Sequence, residues 1–420
     1  MTARPLRLRG LAGVLAAFVI AGASAVAAES VPSPVAALDV YLALPAVERP
    51  PLQRQAFARA PLTKSQAEEV VVRLRRDHAA QIRATRAAEM KAREVSLGGQ
   101  SMPFHYSVHG ERPPSGRSLF ISLHGGGGAP AAVNDQQWHN QKSLYRPLEG
   151  VYLVPRAPTN TWDLWHQKHV DPLLRRLIEN MVVFEGVDPD RVYLLGYSAG
   201  GDGVYQLAPR MADSLAAASM MAGHPNETSP LGLRNLPFSL HVGAADGAYD
   251  RNGVARKWAK RLAALAKADP GGYVHWAKVY AGRGHWLGGL DAAALPWMAK
   301  HTRNRNPLRI VWKQDDVRHT RFYWLATVDA RHAARHEVVV GRQGQRFDVE
   351  RTQAPALRFL LSDELVDLDQ PIEIWAGGER RFVGRLSRTI GTLARSLSER
   401  GDPKMMYSAT VDVDLEQRAP

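Results

Sequence analysis

The segment "RVYLLGYSAGGDG" (191–203) runs an apolar strand into a helix through a cluster of small residues around one serine. Gly196-Tyr197-Ser198-Ala199-Gly200 matches G-x-S-x-G. Between a strand and a helix, small residues permit a sharp turn that lifts the serine hydroxyl clear of a sheet. The five-residue pattern alone is weak; directly after "RVYLL" it is specific, and it makes Ser198 a candidate nucleophile.

The flanking sequence supplies the sheet that such a turn requires. "MPFHYSVHG", "RSLFISL", "GVYLVPRAP", "RVYLLG" and "PFSLHVG" read as strands. Between them, "DPLLRRLIENMVV" places Leu174, Leu177, Ile178 and Met181 on one helical face, with Asp171 as its cap and Pro172 in its first turn. "GVARKWAKRLAALAKAD" does the same with Val254, Trp258, Leu262 and Leu265, and stops at "PGG". Strands alternating with helices predict an α/β fold, a mostly parallel sheet covered on both faces, over residues 96–303.

Two further regions flank it. Residues 29–95 read as a helical extension: short helical pieces rich in proline and alanine, then one long charged helix from about Leu62. Thr63 with Gln66, or Ser65 with Glu68, can form a capping box. Val71, Leu74, His78 and Ile82 share a face, and the opposite arginines read as solvated. Residues 304–420 turn to short strands with glycine turns, including the hairpin "WAGGERRF" and one helix at "TIGTLARSLSER". This predicts a separate, small β-sandwich-like accessory domain.

A serine nucleophile needs a base, and the base needs an orienting acid. In this architecture they follow the serine as acid, then histidine, each after a strand. Asp246 lies three residues beyond the strand end at Gly243; Asp250 is its rival and suits a capping or loop role better. His285, between Gly284 and Trp286, lies in a glycine-rich loop after another strand. His241, His275, His332 and His336 have structural readings, in or near strands or in the C-terminal region.

"SLHGGGGAP" (122–130) ends a strand in four glycines. Neither G-x-x-x-x-G-K-[ST] nor G-x-G-x-x-G follows from the run, which removes the phosphate-loop reading. Next to a nucleophile strand, glycine amides can face the oxygen that becomes negative in a tetrahedral intermediate. Gly126 or Gly127, together with Ala199, are the expected donors, with His124 structural beneath them. The loops 133–141 and 159–169 combine polar groups with tryptophans at the strand ends, where substrates bind in open α/β sheets. Asn134, Trp138, Trp162, Trp165 and Trp286 are candidate substrate contacts. His166 and His169 stand three apart, but with no H-E-x-x-H and no clear third ligand a metal is not expected.

With Ser198, Asp246, His285 and "HGGGG" in place, residues 96–300 resemble the α/β-hydrolase superfamily. They are most similar to secreted bacterial esterases of the feruloyl-esterase-like and polyhydroxybutyrate-depolymerase-like kind. The runs "VDPDRVYLLGYSAGGDGVYQLAPRMAD" and "MAGHPNE" carry that likeness. It implies hydrolysis of a small-molecule or polymer ester without a cofactor. The depolymerase relatives usually carry cysteines, and this chain has none. Neither flanking region is explained by the family pattern; the β region is read as an accessory module or a homodimer contact.

Composition sets the remaining bounds. The absence of cysteine excludes a thiol nucleophile, a disulfide framework and a lipidated cysteine. Three arginines, the apolar run "LAGVLAAFVIAGA" and small residues around Ala27 and Ala28 predict a signal peptide over 1–28, hence a periplasmic or secreted protein with no later membrane span. The formal charge of +13 is spread along the chain without a basic block, which argues against nucleic acid as a partner. The sequence therefore predicts a serine esterase. Two alternatives stand: a serine peptidase of the prolyl-oligopeptidase kind, which lacks room for its usual propeller, and an inactive hydrolase core serving as a binding protein.

Overall fold

A computed structural model describes residues 1–2, 32–329 and 335–415. The predicted signal segment and His332 fall almost entirely outside the described residues, and no described helix is long and apolar enough to cross a membrane.

The chain begins with helix α1 (Pro34–Ala43), three short 3-10 turns, and helix α2 (Lys64–Ala92). Thr63 caps α2 in a reciprocal box with Gln66, so the first of the two expected boxes forms. Ala67, Val70, Leu74 and Ile82 are its buried residues. The charged face is not simply solvated: Arg86 pairs with Glu179, and Glu89 accepts from Arg176 at 2.9 Å.

A mostly parallel sheet follows. Its strands are β1 (Glu94–Leu97), β2 (Gln100–His109), β3 (Arg117–Leu123), β4 (Gly150–Pro155), β5 (Val187–Tyr197), β6 (Ala217–Met221), β7 (Phe238–Gly243) and β8 (His275–Tyr280), in the order 1-2-4-3-5-6-7-8. β1–β2 and β2–β4 pair antiparallel; every later pair is parallel. The crossovers carry helices α3 (Ala131–Gln141), α4 (Val170–Phe184), α5 (Ala199–Arg210) and α6 (Arg251–Ala268), and α7 (Ala294–Met298) follows β8. Side chains alternate across each strand. Leu119, Ile121 and Leu123 of β3 therefore enter one core, while Phe120 enters the other with Tyr152, Tyr193 and Leu195. Burial of both faces is why these strands read as unbroken apolar runs. This is the α/β-hydrolase arrangement, with the Ser198 turn leaving the middle of the sheet.

Asp171 does not cap α4. His169 holds the N-cap position, and Asp171 lies inside the first turn, buried, accepting from Arg210 at 2.6 Å and pairing with His319 at 2.7 Å. Burial works against its charge, but these two neighbours hold its carboxyl down at about 2.

The C-terminal region forms two sheets. One contains β9 (Arg309–Lys313), β12 (Glu337–Gln343), β13 (Arg346–Arg351), β15 (Ile372–Ala376) and β16 (Glu379–Gly384). The other contains β10 (Arg321–Phe322), β11 (Leu325–Thr327), β14 (Ala356–Leu361) and β17 (Ala409–Asp414). Helix α8 (Ile390–Arg400) covers the second sheet. Trp312, Phe322, Trp324, Phe347 and Phe359 fill the interior. The expected hairpin forms between β15 and β16 over Gly377 and Gly378, both at positive φ.

This region is not separate. Its aromatic residues belong to one continuous apolar cluster with the α4–α6 face of the large sheet. Tyr323 donates to Ala212 O at 3.0 Å, and Arg400 pairs with Asp213 at 2.9 Å. The helical extension closes the assembly from the other end. Val35, Leu38, Val70 and Leu74 share a small core with Ile390, Leu393 and Leu397 of α8.

Candidate active site

Ser198 sits where β5 ends and α5 begins, with φ 58° and ψ −123°. A left-handed serine is strained, and that strain is what turns its side chain outward. The small neighbours are obligatory. A Cβ on Gly196 would stand 2.2 Å from Gly200 O, and one on Gly200 would stand 2.1 Å from Leu123 O. The two glycines thus let the elbow close against itself and against β3.

His285 and Asp246 arrive from loops after β8 and β7. His285 Nε2 lies 3.0 Å from Ser198 Oγ, and Nδ1 lies 2.9 Å from Asp246 Oδ2. Asp246 is buried, while the His285 side chain is 43% exposed, so the imidazole is reachable and the carboxylate beside it is dry. Asp250 is elsewhere: it is exposed and pairs with Lys257 at 3.4 Å, and although it holds the N-cap position of α6 its side chain makes no capping bond.

The glycine loop runs beside the serine, since a Cβ on Gly125 would lie 3.2 Å from Ser198 Cβ. Gly126, Gly127 and Gly128 all have positive φ. The Gly127 amide is already committed, donating to Asn134 Oδ1 at 2.7 Å. Its expected role as an oxyanion donor is therefore corrected, leaving Gly126 and Ala199. Ala199 is the first residue of α5, so its N–H has no acceptor within the helix. His124 is structural, as expected. It is buried, accepts from Ala157 N at 3.0 Å and bonds Gly125 O at 2.6 Å, and burial pushes its pKa down to about 4. The neutral ring with its proton on Nδ1 satisfies both contacts.

The expected substrate contacts divide. Trp165 is fully buried and donates to His124 O at 2.9 Å. Asn134 is fully buried and clamps the glycine loop, donating to Ala129 O and Asn160 Oδ1 while accepting from Gly127. Trp138 donates to Val154 O at 3.0 Å and anchors α3. These three are corrected to positioning roles, because their polar atoms are spent on the backbone of the site. Trp162 and Trp286 do face solvent, at 68% and 57% exposure. Trp286 also packs on Tyr197, with ring centroids 5.6 Å apart.

A cleft of about 440 Å³ adjoins the triad through two of its walls, Asp202, whose N–H donates to Ser198 O at 3.0 Å, and Arg251, near Asp246; Ser198 and His285 do not line it. Its walls come from the segments that follow β4 (Trp162, Asp163, His166), β6 (His224, Asn226) and β7 (Tyr249), with Asp202 on α5 and Arg251 at the start of α6. Asp202, His224, Tyr249 and Arg251 were not anticipated. Asp202 had a signal, lying one helical turn after Ser198; His224 sits in a loop and Tyr249 in a 3-10 turn without a recognisable pattern, and Arg251 opens α6. Burial pushes the Asp202 carboxyl up to about 6, against the His224 N–H that it accepts at 2.6 Å. Arg251 approaches the second oxygen of Asp246 at 3.9 Å. Of the histidines considered for a metal, His166 lines this cleft and His169 occupies the start of α4.

Tyr197, the second residue of G-x-S-x-G, was also missed. Its hydroxyl donates to His285 O at 2.6 Å and accepts from Leu287 N at 2.9 Å, tying the histidine loop to the nucleophile strand.

No protein-family model matches the chain. One curated relative, "Putative esterase NocK" from Nocardia uniformis subsp. tsuyamanensis, is 30% identical over 171 residues, 38% of this chain and 49% of that protein. The chain thus spans about half the length of the curated relative it matches. Among solved structures, a thermostable esterase aligns at 18% identity over 50% of this chain and 62% of its own, with a TM-score of 0.40. An acetyl xylan esterase from Aspergillus awamori aligns at 13% identity over 49% of this chain and 97% of its own, with a TM-score of 0.34. The elbow serine hydrogen-bonded to a histidine, the histidine to a buried aspartate, and amides at Gly126 and Ala199 without an acceptor among the described residues together make an arrangement suited to acyl transfer on an α/β-hydrolase scaffold.

Proposed function

We propose that the protein is a carboxylic-ester hydrolase working through a Ser198–His285–Asp246 triad and an acyl-enzyme. The observation that carries this reading is the hydrogen-bonded series from Ser198 Oγ through both ring nitrogens of His285 to Asp246. His285 Nε2 takes the hydroxyl proton as Ser198 Oγ attacks the ester carbonyl. Asp246 accepts from Nδ1–H, fixing the tautomer and stabilising the imidazolium. The Gly126 and Ala199 amides hold the oxyanion, each such donor being worth about 3–4 kcal/mol of barrier. Collapse passes the proton to the departing alcohol. Water, activated by the same histidine, then releases the acid and restores Ser198.

The cleft supports an ester whose acyl or alcohol part carries hydrogen-bonding groups, since Asp163, Asp202, His224, Asn226 and Arg251 line it together with the exposed rings of Trp162 and Tyr249. Export to the periplasm or medium, through cleavage near Ala28, belongs to the same proposal and rests on the amino-terminal sequence. The test is hydrolysis of p-nitrophenyl and aryl esters of graded acyl length by the protein and by Ser198→Ala. Turnover that vanishes in Ser198→Ala supports the mechanism. Turnover that survives the substitution overturns it, and so does a protein that turns over none of the esters and takes no label from a serine-directed fluorophosphonate.

A further inference from the structure

The second β sheet and α8 line a cavity of about 230 Å³ that shares no residue with the cleft adjoining Ser198. Its walls carry Arg321, Arg358, Arg395 and Arg400, with threonine hydroxyls from Thr392 and Thr410. We infer that this cavity is a second ligand site, built to bind a phosphate group.

The charges around it do not balance. Glu399 pairs with Arg321 at 2.9 Å, Asp412 takes Arg358 through both oxygens, and Asp213 is shared by Arg400 at 2.9 Å and Arg175 at 3.6 Å. Arg395 has no acidic partner among the described residues. Asp402, further along, is held by Arg303 at 2.6 Å. Five guanidinium groups therefore meet three carboxylates, a surplus that a dianion cancels. Arg321 feels the crowding: burial first, then Arg400 and Arg175, bring it down to about 10.

The hydrogen bonds do not balance either. Tyr407, 2% exposed on the cavity wall, has a buried hydroxyl with no partner among the described residues. Arg400, with its side chain 4% exposed, has a buried Nε in the same condition. Buried polar groups are almost always satisfied, and leaving one unmade costs its desolvation. Surplus positive charge on the lining, with two unmet donors just beneath the wall, favours an acceptor with several oxygens and net negative charge. Arginine forks match phosphate oxygens in geometry as well as charge. A neighbouring groove shares Thr320 and Arg321 with the cavity and carries Lys168, Arg175 and Arg318 against Asp171 and Asp316.

The ligand is either free phosphate or the phosphate of an organic monoester, and titration separates the two. Calorimetric titration of the purified protein with inorganic phosphate and with glycerol phosphate, at ionic strength held constant with sodium chloride, is expected to give saturable binding of one ion per chain. Tighter binding of glycerol phosphate assigns an organic monoester, and equal binding assigns the free ion. Arg395→Gln, an exposed change, is expected to weaken binding about tenfold, and Tyr407→Phe several-fold, since a hydrogen bond to a charged group is lost in each. Tyr407→Phe removes an oxygen with no protein partner, so its thermal midpoint without phosphate should not fall. Phosphate that binds no better than chloride, or binding unchanged in both variants, overturns the inference.

Discussion

Asp246 decides which nitrogen of His285 holds the proton. An amide in its place keeps the shape of the site but can present an N–H to Nδ1, favouring the wrong tautomer. Asp246→Asn should lower kcat by about 10³–10⁴-fold, whereas Asp250→Asn, which loses only an exposed pair with Lys257, should leave kcat within about twofold. Steady-state ester hydrolysis by the two variants checks the assignment. Asp202 makes a prediction of opposite kind. Its carboxyl stands at about 6 in the fold against an ordinary value of 3.8. The folded state therefore holds this proton more tightly than the unfolded chain, and stability falls as pH rises from about 4 to 6 and stays lower above. Asp202→Asn keeps an oxygen for the His224 N–H and removes the charge. It should stabilise the protein at pH 8 by about 1–3 kcal/mol and hardly at all at pH 4, as read from denaturation midpoints at the two pH values. At this scale the sequence was legible where chemistry is tied to a strand end: Ser198, Asp246 and His285 each follow one. It was not legible for Asn134, Trp138 and Trp165, because loop composition does not say whether a polar or aromatic group points at the ligand or back at the loop.

At the scale of elements, the site depends on how β5 is joined to the loop after β8. Tyr197 makes that joint with one hydroxyl, which donates to the His285 carbonyl and accepts from the Leu287 amide, either side of Trp286. In Tyr197→Phe both backbone groups lose their partner, a cost of about 1–3 kcal/mol. The loop carrying the base then loosens, so kcat should fall about tenfold or more while KM changes little, and the denaturation midpoint should drop. Kinetics measured well below that midpoint separate the loosened loop from plain unfolding. The hairpin, α6 and the buried strands were readable because periodicity and glycine turns act locally. β6, whose core is "AASMM", escaped notice: it is a short buried run with no alternation, flanked by residues that also suit a helix. The run "TRFYWLATV", apolar and β-branched enough to read as one strand, breaks into β10 and β11 because Tyr323 and Trp324 form the turn between them and are buried. The cap assigned to Asp171 failed for a tertiary reason, since Arg210 and His319 offered it stronger partners than the helix end did.

For the whole molecule, the unexpected result is that the first and last described helices, α1 and α8, share a core. Leu38 of α1 is fully buried in a core completed by Leu393 and Leu397 of α8, about 350 residues later in sequence. No local pattern announces such a contact, which is why the three regions read as separate units. The continuous cluster from Leu119 to Phe359 and the ion pair of Arg400 with Asp213, just past the end of the nucleophile helix, argue for one cooperative unit. Truncating Leu38 opens a cavity far from Ser198 and should cost about 2–4 kcal/mol. If the regions fold together, Leu38→Ala lowers a single transition, and loss of ester turnover on heating coincides with loss of tryptophan fluorescence structure. Two resolved transitions, with turnover surviving the first, would show instead that the helical clasp and the β region unfold independently of the hydrolase sheet. The shared core predicts the single transition, with turnover at 25 °C unchanged because no atom of the site has moved.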